Sequence, residues 1–549
     1  MFQHNESPSS LRAALLAVVA LTLSACAQPA ATPQAHAAAQ AERATAATAP
    51  YAEPHRPQFH FSPPSMWMND PNGMVYYDGE YHLFYQYYPN DTVWGPMHWG
   101  HAVSSDLVHW EHLPIALYPD DLGYIFSGSA VVDWRNTSGF GRDGAPPLVA
   151  IFTYHNPQLA KAGGRDHEYQ GIAWSNDRGR SWTKYAGNPV LPNTQRLQDF
   201  RDPKVFWHAA SERWIMALSA NDHVQFWASP DLRRWHHLSD FGREWGAHGG
   251  VWECPDLVPM RVDGAGEERW VLILNLNPGG PQGGSGTQYF VGDFDGARFT
   301  LDERFKRTLI DEGAVWLDHG RDNYAGVTWA DVPPEDGRHL FIGWMGNWDY
   351  AQQVPTRGWR SAMTLPRTLT LHDTPAGLRV FSNPVRELQS LRTASFTVSE
   401  AVIEPGRAWS PKPGLDPSQS ELILEFELPA SGAASLAVEL SNALGERYIF
   451  GYDTARNEFA SDRRHSGDTG FAESFAGVHR ATRLAEGRTL RLHLFFDVAS
   501  VEVFADGGAT VMTDIFFPTQ PFSQLRIRAD GQALRLNGGE IHQLRSIWR

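Results

Sequence analysis

The chain has 549 residues, a formal net charge of -16, and 21 tryptophans, 29 phenylalanines and 17 tyrosines. Its basic residues form no long run, which excludes the Lys/Arg-rich surface that nucleic-acid binding requires, so we expect no nucleic-acid partner. The aromatic residues, with 49 glycines and 37 prolines spread along the chain, are typical of an all-β protein with many turns. Apolar stripes with a period of 3.6 residues are rare after the N-terminus, so helix should be scarce.

The N-terminus carries the signals of an exported protein. Residues 13–23 form an apolar segment of signal-peptide length, too short to span a bilayer alone. The residues that follow, through Cys26, are similar to a bacterial lipobox, in which cleavage leaves a lipid-bearing cysteine; the alternative is an ordinary secretory signal with an incidental cysteine. We therefore predict a lipoprotein-type signal peptide over 1–26 and a disordered Ala/Pro/Thr-rich tether over 27–54.

These signals predict where the protein is found. It would be lipid-anchored to the bacterial cell envelope, in the periplasm or at the outer membrane surface, or otherwise secreted. Membrane contact would be made only through Cys26. If Cys26 is lipidated, Cys254 is alone and no intramolecular disulfide can form. We expect Cys254 to be a buried structural thiol, because neighbouring acids disfavour a thiolate.

From Tyr51 to about residue 375 the sequence is a series of short β-like runs. Two of them flank Asp78-Gly79-Glu80, which indicates a hairpin. A loose repeat, made of a serine, an Asp-containing turn and then a tryptophan, also recurs, beginning at Ser104, Ser175 and Ser229. Repeats of this length predict a propeller or another β-array, without giving the number of blades.

The character of the sequence changes over 376–395, which we predict to be a linker with a short helix-compatible stretch. Beyond it, apolar and polar residues alternate in Glu421–Leu428, Thr489–Phe496 and Val501–Ala505. Period-2 alternation with turns between the runs is typical of an antiparallel sandwich. We therefore predict a β-sandwich domain over 396–549, with a supporting or sugar-binding role.

Three motifs place a carboxylate beside aromatic or apolar residues and a proline: Trp67–Gly73 around Asp70, Phe200–Pro203 around Asp202, and Trp252–Pro255 around Glu253. Each is interpreted as a strand that ends in an acid and a Pro-containing turn, and each taken alone is compatible with a plain turn. Arg201 can keep Asp202 ionised, and the apolar neighbours of Glu253 raise its pKa, as a general acid requires. If the three motifs lie on successive blades of a propeller, the three acids share one pocket.

Together and in this order, the three motifs resemble the signature motifs of glycoside hydrolase family 32, the invertase, levanase and inulinase family. Further matching segments are Phe84–Tyr87, Trp94–His101, Phe126–Ser129, Gly286–Gly292, Gly343–Met345 and Val501–Gly508. The resemblance runs from about residue 55 to the end. It implies an all-β fold, with a catalytic five-bladed β-propeller over 55–375 followed by the C-terminal β-sandwich.

The resemblance also implies roles for individual residues. Asp70 would be the nucleophile, Glu253 the acid/base and Asp202 the transition-state stabiliser of a retaining glycosidase, whose two reacting carboxyls lie about 5–5.5 Å apart. The positions that match substrate contacts are Asn69, Gln86, Trp94, Phe126, Ser127, Arg201 and Trp344, with Trp348 as an alternative to Trp344. No metal and no organic cofactor is implied.

The Gly-rich segment 279–290 resembles exo-acting levanases and exo-inulinases most closely. This implies release of terminal β-D-fructofuranosyl residues from levan, inulin and sucrose. Three alternatives stay open: an invertase that acts mainly on sucrose, a transfructosylase, and, from another class, a fructan-binding surface lipoprotein without catalysis. The presence of all three acids disfavours the last of these.

Overall fold

A computed structural model describes residues 51–411 and 414–548, and this part of the chain is almost entirely β-structure. Its α-helices are α1 (Pro157–Lys161) and α2 (Glu303–Glu312), and 3-10 turns cover Ala209–Ser211, Arg386–Leu391 and Pro417–Gln419. The prediction of a β protein with scarce helix is confirmed. Among the described residues, no helix is both long and apolar enough to cross a membrane. The predicted signal peptide, Cys26 and the tether before residue 51 lie outside the described residues.

The first part of the chain contains twenty-two strands. In chain order they are β1 (Met66–Tyr77), β2 (Glu80–Tyr88), β3 (His98–Ser104), β4 (Glu111–Leu117), β5 (Tyr124–Val132), β6 (Leu148–His155), β7 (Glu168–Ser175), β8 (Thr183–Lys184), β9 (Phe200–His208), β10 (Arg213–Ala220), β11 (Val224–Ser229), β12 (His236–Phe241), β13 (Val251–Asp263), β14 (Glu268–Asn277), β15 (Gly286–Phe294), β16 (Phe299–Leu301), β17 (Tyr324–Thr328), β18 (His339–Met345), β19 (Trp359–Arg360), β20 (Ala362–Met363), β21 (Arg367–Thr374) and β22 (Gly377–Pro384).

These strands form antiparallel sheets from neighbours in the chain. Strands β1–β4, β5–β8 and β9–β12 each pair in sequence order, and β19 adds to β1. Strands β13–β16 pair in the same way and join β17, β18 and β20–β22 through a parallel contact between β13 and β21. The first strands β1, β5, β9, β13 and β17 each contact the next, and β17 contacts β1, so these five close a ring. The predicted hairpin is confirmed, because β1 and β2 pair across Asp78-Gly79.

The predicted serine-aspartate repeat is a real structural unit. It follows β3, β7 and β11, the third strand of each of the first three sheets. In every copy the serine hydroxyl donates to the aspartate: Ser104 to Asp106 at 3.0 Å, Ser175 to Asp177 at 2.7 Å and Ser229 to Asp231 at 3.3 Å. The aspartate then accepts backbone N–H groups, which fixes the turn that leads into the outermost strand.

The three acid motifs lie inside strands, so the prediction that they form turns after strands was wrong. Asp70, Asp202 and Glu253 stand near the beginnings of β1, β9 and β13, and the pairing of each strand shifts register within it. Asp202 has φ 66° and Cys254 has φ 44°, both in the left-handed region. The proline and glycine residues that suggested turns belong to these bulged strands, where proline is tolerated and side chains are re-aimed.

The second part of the chain contains two further antiparallel sheets. Its strands are β23 (Arg392–Val398), β24 (Ala401–Ile403), β25 (Ser420–Glu427), β26 (Ala434–Ser441), β27 (Arg447–Asp453), β28 (Glu458–His465), β29 (Val478–Thr482), β30 (Thr489–Asp497), β31 (Ser500–Ala505), β32 (Thr510–Ile515), β33 (Gln524–Gly531) and β34 (Leu534–Leu544). Strands β26–β29 and β33 form one sheet, and the others form the second. Leu422 and Leu424 of one sheet share a hydrophobic core with Val438 and Leu440 of the other. The three alternating segments are strands, as predicted.

Buried charges tie the two parts together. His60 approaches Asp497 at 2.8 Å and Glu502 at 3.1 Å, and Arg367 donates to Glu502 at 2.5 Å and to Asp318 at 3.0 Å. Burial alone would lower the pKa of His60, but its hydrogen bonds to the two carboxylates outweigh burial and raise the pKa to about 9. His60 is therefore charged in the folded chain at neutral pH.

This network makes the stability of the fold depend on pH. The pKa of His60 is about 9 in the folded chain against 6.5 for an unperturbed histidine, so its stabilising contribution is complete below pH 6.5. We expect this contribution, on the order of 3 kcal/mol, to be lost as the pH rises to 9. Urea unfolding at both pH values measures it. His60→Gln should make the free energy of unfolding depend less on pH, whereas the half-exposed control His109→Gln should not. The same pH dependence in the unmodified chain and in both variants would contradict the assignment.

Candidate active site

A cavity of about 440 Å³ brings the three predicted acids together. Asp70 from β1, Asp202 from β9 and Glu253 from β13 all line it. The Cys254 sulfur lies 3.7 Å from Asp70 Oδ2 and 3.6 Å from Asp202 Oδ2, and the backbone N–H of Cys254 donates to Asp202 at 3.0 Å. Cys254 is buried, as predicted. Burial, and then the nearby acids, raise the pKa of its thiol well above the ordinary value.

The carboxylate of Asp70 is held in one orientation. Its Oδ1 accepts from the side-chain amide of Asn69 at 2.9 Å, and its Oδ2 accepts from the Ser127 hydroxyl at 2.7 Å. Asn69 is itself oriented by the indole N–H of Trp67, which donates to Asn69 Oδ1 at 2.7 Å. The acid, amide and aromatic residues of the first motif therefore act as one unit, in which buried neighbours fix a carboxylate that faces the cavity.

Both oxygens of Glu253 accept hydrogen bonds. Arg201 Nε donates to Oε1 at 3.1 Å, and the hydroxyl of Tyr324 donates to Oε2. Burial raises the pKa of Glu253 and the charge of Asp70 adds to the rise, while Arg201 and Tyr324 offset part of it; the net shift is upward. Burial and Glu253 raise the pKa of Tyr324 well above its ordinary value, so Tyr324 keeps the proton that it donates.

Arg201 was expected to keep Asp202 ionised, but it donates to Glu253 instead. Its remaining hydrogen bonds go to both oxygens of Glu168 at 3.1 Å and to Asp199 at 2.6 Å, and among the described residues none reaches Asp202. Successive side chains leave a strand in different directions, which separates the two neighbours. Burial, more than any other cause, raises the pKa of Asp202 well above the ordinary value, even though the charge of Arg201 opposes the shift.

Glu168 lines the cavity and was not predicted from the sequence. It is fully buried and accepts from the backbone N–H of Phe200 at 2.8 Å, and its Oε1 lies 3.2 Å from His155 Nδ1. Burial favours its neutral form, but Arg201, His155 and the Phe200 N–H together lower its pKa to about 2. Glu168 therefore carries a charge that fixes Arg201. No motif marks it, because it meets Arg201 only where β7 passes β9.

One group of described residues near the cavity has the composition of a metal site. His155, His167 and Glu168 bring potential ligand atoms within 4.8 Å of one another. The guanidinium of Arg201, however, already occupies both oxygens of Glu168. A cation placed there would meet that positive charge at short range, and the repulsion opposes binding. The arrangement therefore supplies ion pairing to Arg201 and does not call for a metal.

Most of the predicted substrate contacts line the cavity. Gln86 is buried and donates to Asn72 at 2.8 Å and to the Ile125 carbonyl at 3.0 Å. Trp94 is 36 % exposed and stands edge-to-face with Phe126 at a ring separation of 6.0 Å. The cavity thus combines the three predicted acids with amide groups and aromatic walls, a composition suited to a sugar that has apolar faces and hydroxyl groups.

Trp348, and not the predicted Trp344, forms a wall of the cavity. Trp344 is 0 % exposed and does not line the cavity, whereas Trp348 does. Trp344 lies within β18, where it pairs with Tyr324 and Met363, so neighbouring strands cover it. Trp348 follows β18 in a loop, and the two rings are 5.0 Å apart. Trp344 therefore supports the wall from behind.

Comparison with known proteins agrees with this site. Residues 60–384 match the model for the glycosyl hydrolases family 32 N-terminal domain, and residues 387–543 match the family 32 C-terminal domain. The chain therefore belongs to glycosyl hydrolase family 32. It is 45 % identical to the levanase of Bacillus subtilis over 91 % of this chain and 72 % of that protein, and 39 % identical to the extracellular exo-inulinase of Aspergillus awamori over 91 % and 96 %.

Solved structures of similar proteins agree with this family assignment. The crystal structure of the Aspergillus awamori exo-inulinase superposes with a TM-score of 0.81 at 38 % identity, and the match covers 91 % of this chain and all of that one. The Schwanniomyces occidentalis β-fructofuranosidase, solved in complex with fructosyl-erythritol, superposes with a TM-score of 0.81 at 32 % identity over 91 % and 99 %. The protein is thus an enzyme of this family, a glycosidase with a mostly β fold and a C-terminal β domain.

The environment of Cys254 makes a simple chemical prediction. Since burial and the acids around it raise the pKa of the thiol, almost no thiolate is present at neutral pH, and we expect the folded chain to resist alkylation there. Iodoacetamide treatment followed by peptide mass spectrometry should find Cys254 unmodified in the folded protein and modified after urea unfolding. Peptide mapping separates this signal from that of Cys26. Rapid modification of Cys254 in the folded chain would contradict the proposed environment.

Proposed function

We propose that the protein is a retaining exo-β-fructosidase that hydrolyses terminal non-reducing β-D-fructofuranosyl residues. The observation that carries this proposal is the convergence of Asp70, Asp202 and Glu253 in one cavity, in a chain of family 32. The names of the similar levanase and exo-inulinase support fructans as the substrate class. Catalysis needs no metal and no organic cofactor, since the carboxylates supply both nucleophile and proton donor.

The contacts support a division of labour among the acids. Asp70, oriented by Asn69 and Ser127, attacks C2 of the fructose and forms an ester while the bond from C2 to the leaving oxygen breaks. Glu253, whose pKa is raised by burial, gives its proton to that oxygen. It then takes a proton from water, which attacks C2, releases fructose and restores the Asp70 carboxylate. Asp202 stabilises the transition state by holding the sugar.

Other residues of the cavity bind the sugar. Gln86 supplies an amide, Trp94 and Phe126 supply aromatic walls, and Trp348 takes the place predicted for Trp344. Levan, inulin and sucrose are the proposed substrates. An invertase that acts mainly on sucrose and a transfructosylase use the same acids, and product analysis separates them from the proposed exo-hydrolase.

We also propose that the first part of the chain is a five-bladed β-propeller over 55–375, joined by a linker over 376–395 to a β-sandwich over 396–549. The ring formed by the five strands β1, β5, β9, β13 and β17 supports it, as does the repeated four-strand order. The proposed linker contains β22, which pairs with β21 of the first part, and the 3-10 turn Arg386–Leu391. The two sheets that share one core support the sandwich.

Export is part of the proposed function. One relative is named an extracellular exo-inulinase, and hydrolysis of a polymer outside the cell requires an exported enzyme. We propose that the segment 1–26 directs export and that Cys26 carries a lipid anchor in the cell envelope. Mass spectrometry of the mature N-terminus tests the anchor, because a diacylglyceryl-cysteine and a plain cleaved end differ in mass.

Product analysis tests the proposed reaction. We expect fructose as the only product from levan and inulin, and fructose with glucose from sucrose, because an exo-enzyme removes one terminal residue at a time. Asp70→Asn should lower fructose release by at least roughly 10³-fold, since it removes the nucleophile, while circular dichroism stays unchanged. Oligosaccharide products would overturn exo action, and near-normal turnover by Asp70→Asn would overturn its role as the nucleophile.

A variant of Tyr324 tests the role of Glu253 as acid/base through the pH dependence of kcat/KM. Its hydrogen bond favours the carboxylate form of Glu253, so Tyr324→Phe should raise the pKa of Glu253 further. The alkaline limb of the kcat/KM profile, where Glu253 loses its proton, should then move to higher pH. We expect kcat to fall by roughly tenfold or more, because one charge-assisted hydrogen bond is lost.

A matched variant separates this effect from general damage. Tyr154 is a buried tyrosine whose hydroxyl donates to Asp120 at 3.0 Å, and it does not line the cavity. Tyr154→Phe should leave the alkaline limb in place. An unchanged limb in Tyr324→Phe, or a shift to lower pH, would contradict the assignment of Glu253 as the proton donor.

A further inference from the structure

A second large cavity lies at the other ends of the strands that carry the acids. Its volume is about 350 Å³, within the range of roughly 300–1,000 Å³ for small-molecule sites. On β9 the acid Asp202 is near the beginning, whereas Trp207 at the other end lines this cavity. On β5 the same holds for Ser127, which lines the acid cavity, and Val132, which ends the strand. The two cavities therefore open at opposite ends of the ring of first strands.

Five tryptophans line this cavity: Trp134, Trp207, Trp214, Trp270 and Trp329. Trp134 is 62 % exposed, yet its indole N–H donates to Asp331 Oδ1 at 2.8 Å. Asp331 is fixed in turn, because its Oδ2 accepts from the Val132 N–H at 2.9 Å and its backbone has a left-handed φ of 57°. A large apolar ring is thus held in place at the surface, where burial does not account for it.

The polar groups of the cavity specify the ligand. The indole N–H of Trp207 is buried without a hydrogen-bond partner among the described residues, and Arg135 lies 4.8 Å over the Trp207 ring. The Arg135 guanidinium is more than half exposed, and as a donor it calls for a ligand that offers acceptor oxygens. The positive charges are matched, since Lys204 pairs with Asp256 at 3.0 Å and Arg135 lies 3.8 Å from Glu212.

We propose that this cavity is a second carbohydrate-binding site that takes a neutral fructosyl unit of a fructan chain. A sugar ring offers C–H faces to the indoles, hydroxyl oxygens to the Arg135 guanidinium and hydroxyl donors to the Asp331 carboxylate, and it carries no charge that would need a partner. The choice of fructan rests on the proposed function. An anionic ligand would meet the Asp331 carboxylate, which has no cationic partner among the described residues, and a purely apolar one would make no hydrogen bond to Arg135 or Asp331.

The second site would not compete with the first. Lys204 and Thr328 line the second cavity and also a small internal cavity that reaches Asp202, so a layer of side chains separates the two openings. A long fructan held at the second site keeps its chain ends near the enzyme, which raises their effective concentration at the acids. Sucrose is too short to gain from this tethering.

Calorimetric titration of the full-length Asp70→Asn variant with a short inulin oligosaccharide tests the proposal, because this variant does not consume the ligand. We expect two classes of binding site. Adding Trp134→Ala should weaken one class by roughly tenfold, as burial of an aromatic face is lost, and leave the other unchanged. Adding Trp245→Ala, a partly buried tryptophan outside both cavities, should change neither.

Two results would overturn the second site: a single class of site in Asp70→Asn, or two classes that Trp134→Ala leaves unaffected. Soaking crystals of Asp70→Asn in the same oligosaccharide gives an independent test, and sugar density confined to the acid cavity would also overturn it. Failure of the proposed function looks different, since the unmodified chain would then release no fructose from any substrate.

Kinetics add a readout that a structural role of Trp134 would not produce. In the otherwise unmodified enzyme, Trp134→Ala should raise KM for long-chain levan by roughly tenfold, because tethering is lost, and leave kcat and KM for sucrose unchanged. An equal loss on both substrates would show a general structural effect and would contradict the tethering role.

Discussion

One guanidinium group organises the charges of the active site. Arg201 donates to Glu253, Glu168 and Asp199, and its charge also acts on Asp202. Without it, a set of carboxylates in one buried region would repel one another and would be driven to protonate. Because Glu168 is ionised and fixes Arg201 from behind, the guanidinium can orient Glu253 without suppressing its raised pKa. The site therefore depends on a balance of burial and charge more than on any single pair.

The strands bring these carboxylates close together. Three acids come from strands that begin at the same end of a ring, and the backbone is left-handed at Asp202 and at Cys254, the residue after Glu253. Such backbone costs of order 1–3 kcal/mol per residue and persists only where surrounding structure enforces it. The large buried cores of the sheets, and the ion network of His60 and Arg367 with the C-terminal domain, supply the stability that offsets this strain.

Much of the site was predictable because its residues lie in short local sequence motifs. The three acids, Asn69 and Ser127 were found this way, and the structure places all of them on one cavity. The fold class followed from aromatic content, turn residues and alternation. The predicted turns were wrong because proline, glycine and aspartate mark a bulge as well as they mark a turn. A motif does not show which tryptophan neighbouring strands cover, so it favours the buried Trp344 over Trp348, which lines the cavity.

The sequence by itself determined the composition of the site: which acids are present, which amides and aromatic residues accompany them, and that they belong to a β protein of family 32. Only the tertiary structure decided what each acid touches. Glu168 and Tyr324 meet Arg201 and Glu253 across distances of many residues, and no local pattern records such contacts. The physical reason is that a pKa is set by burial and by charges in space, and these exist only once separate strands have been brought together.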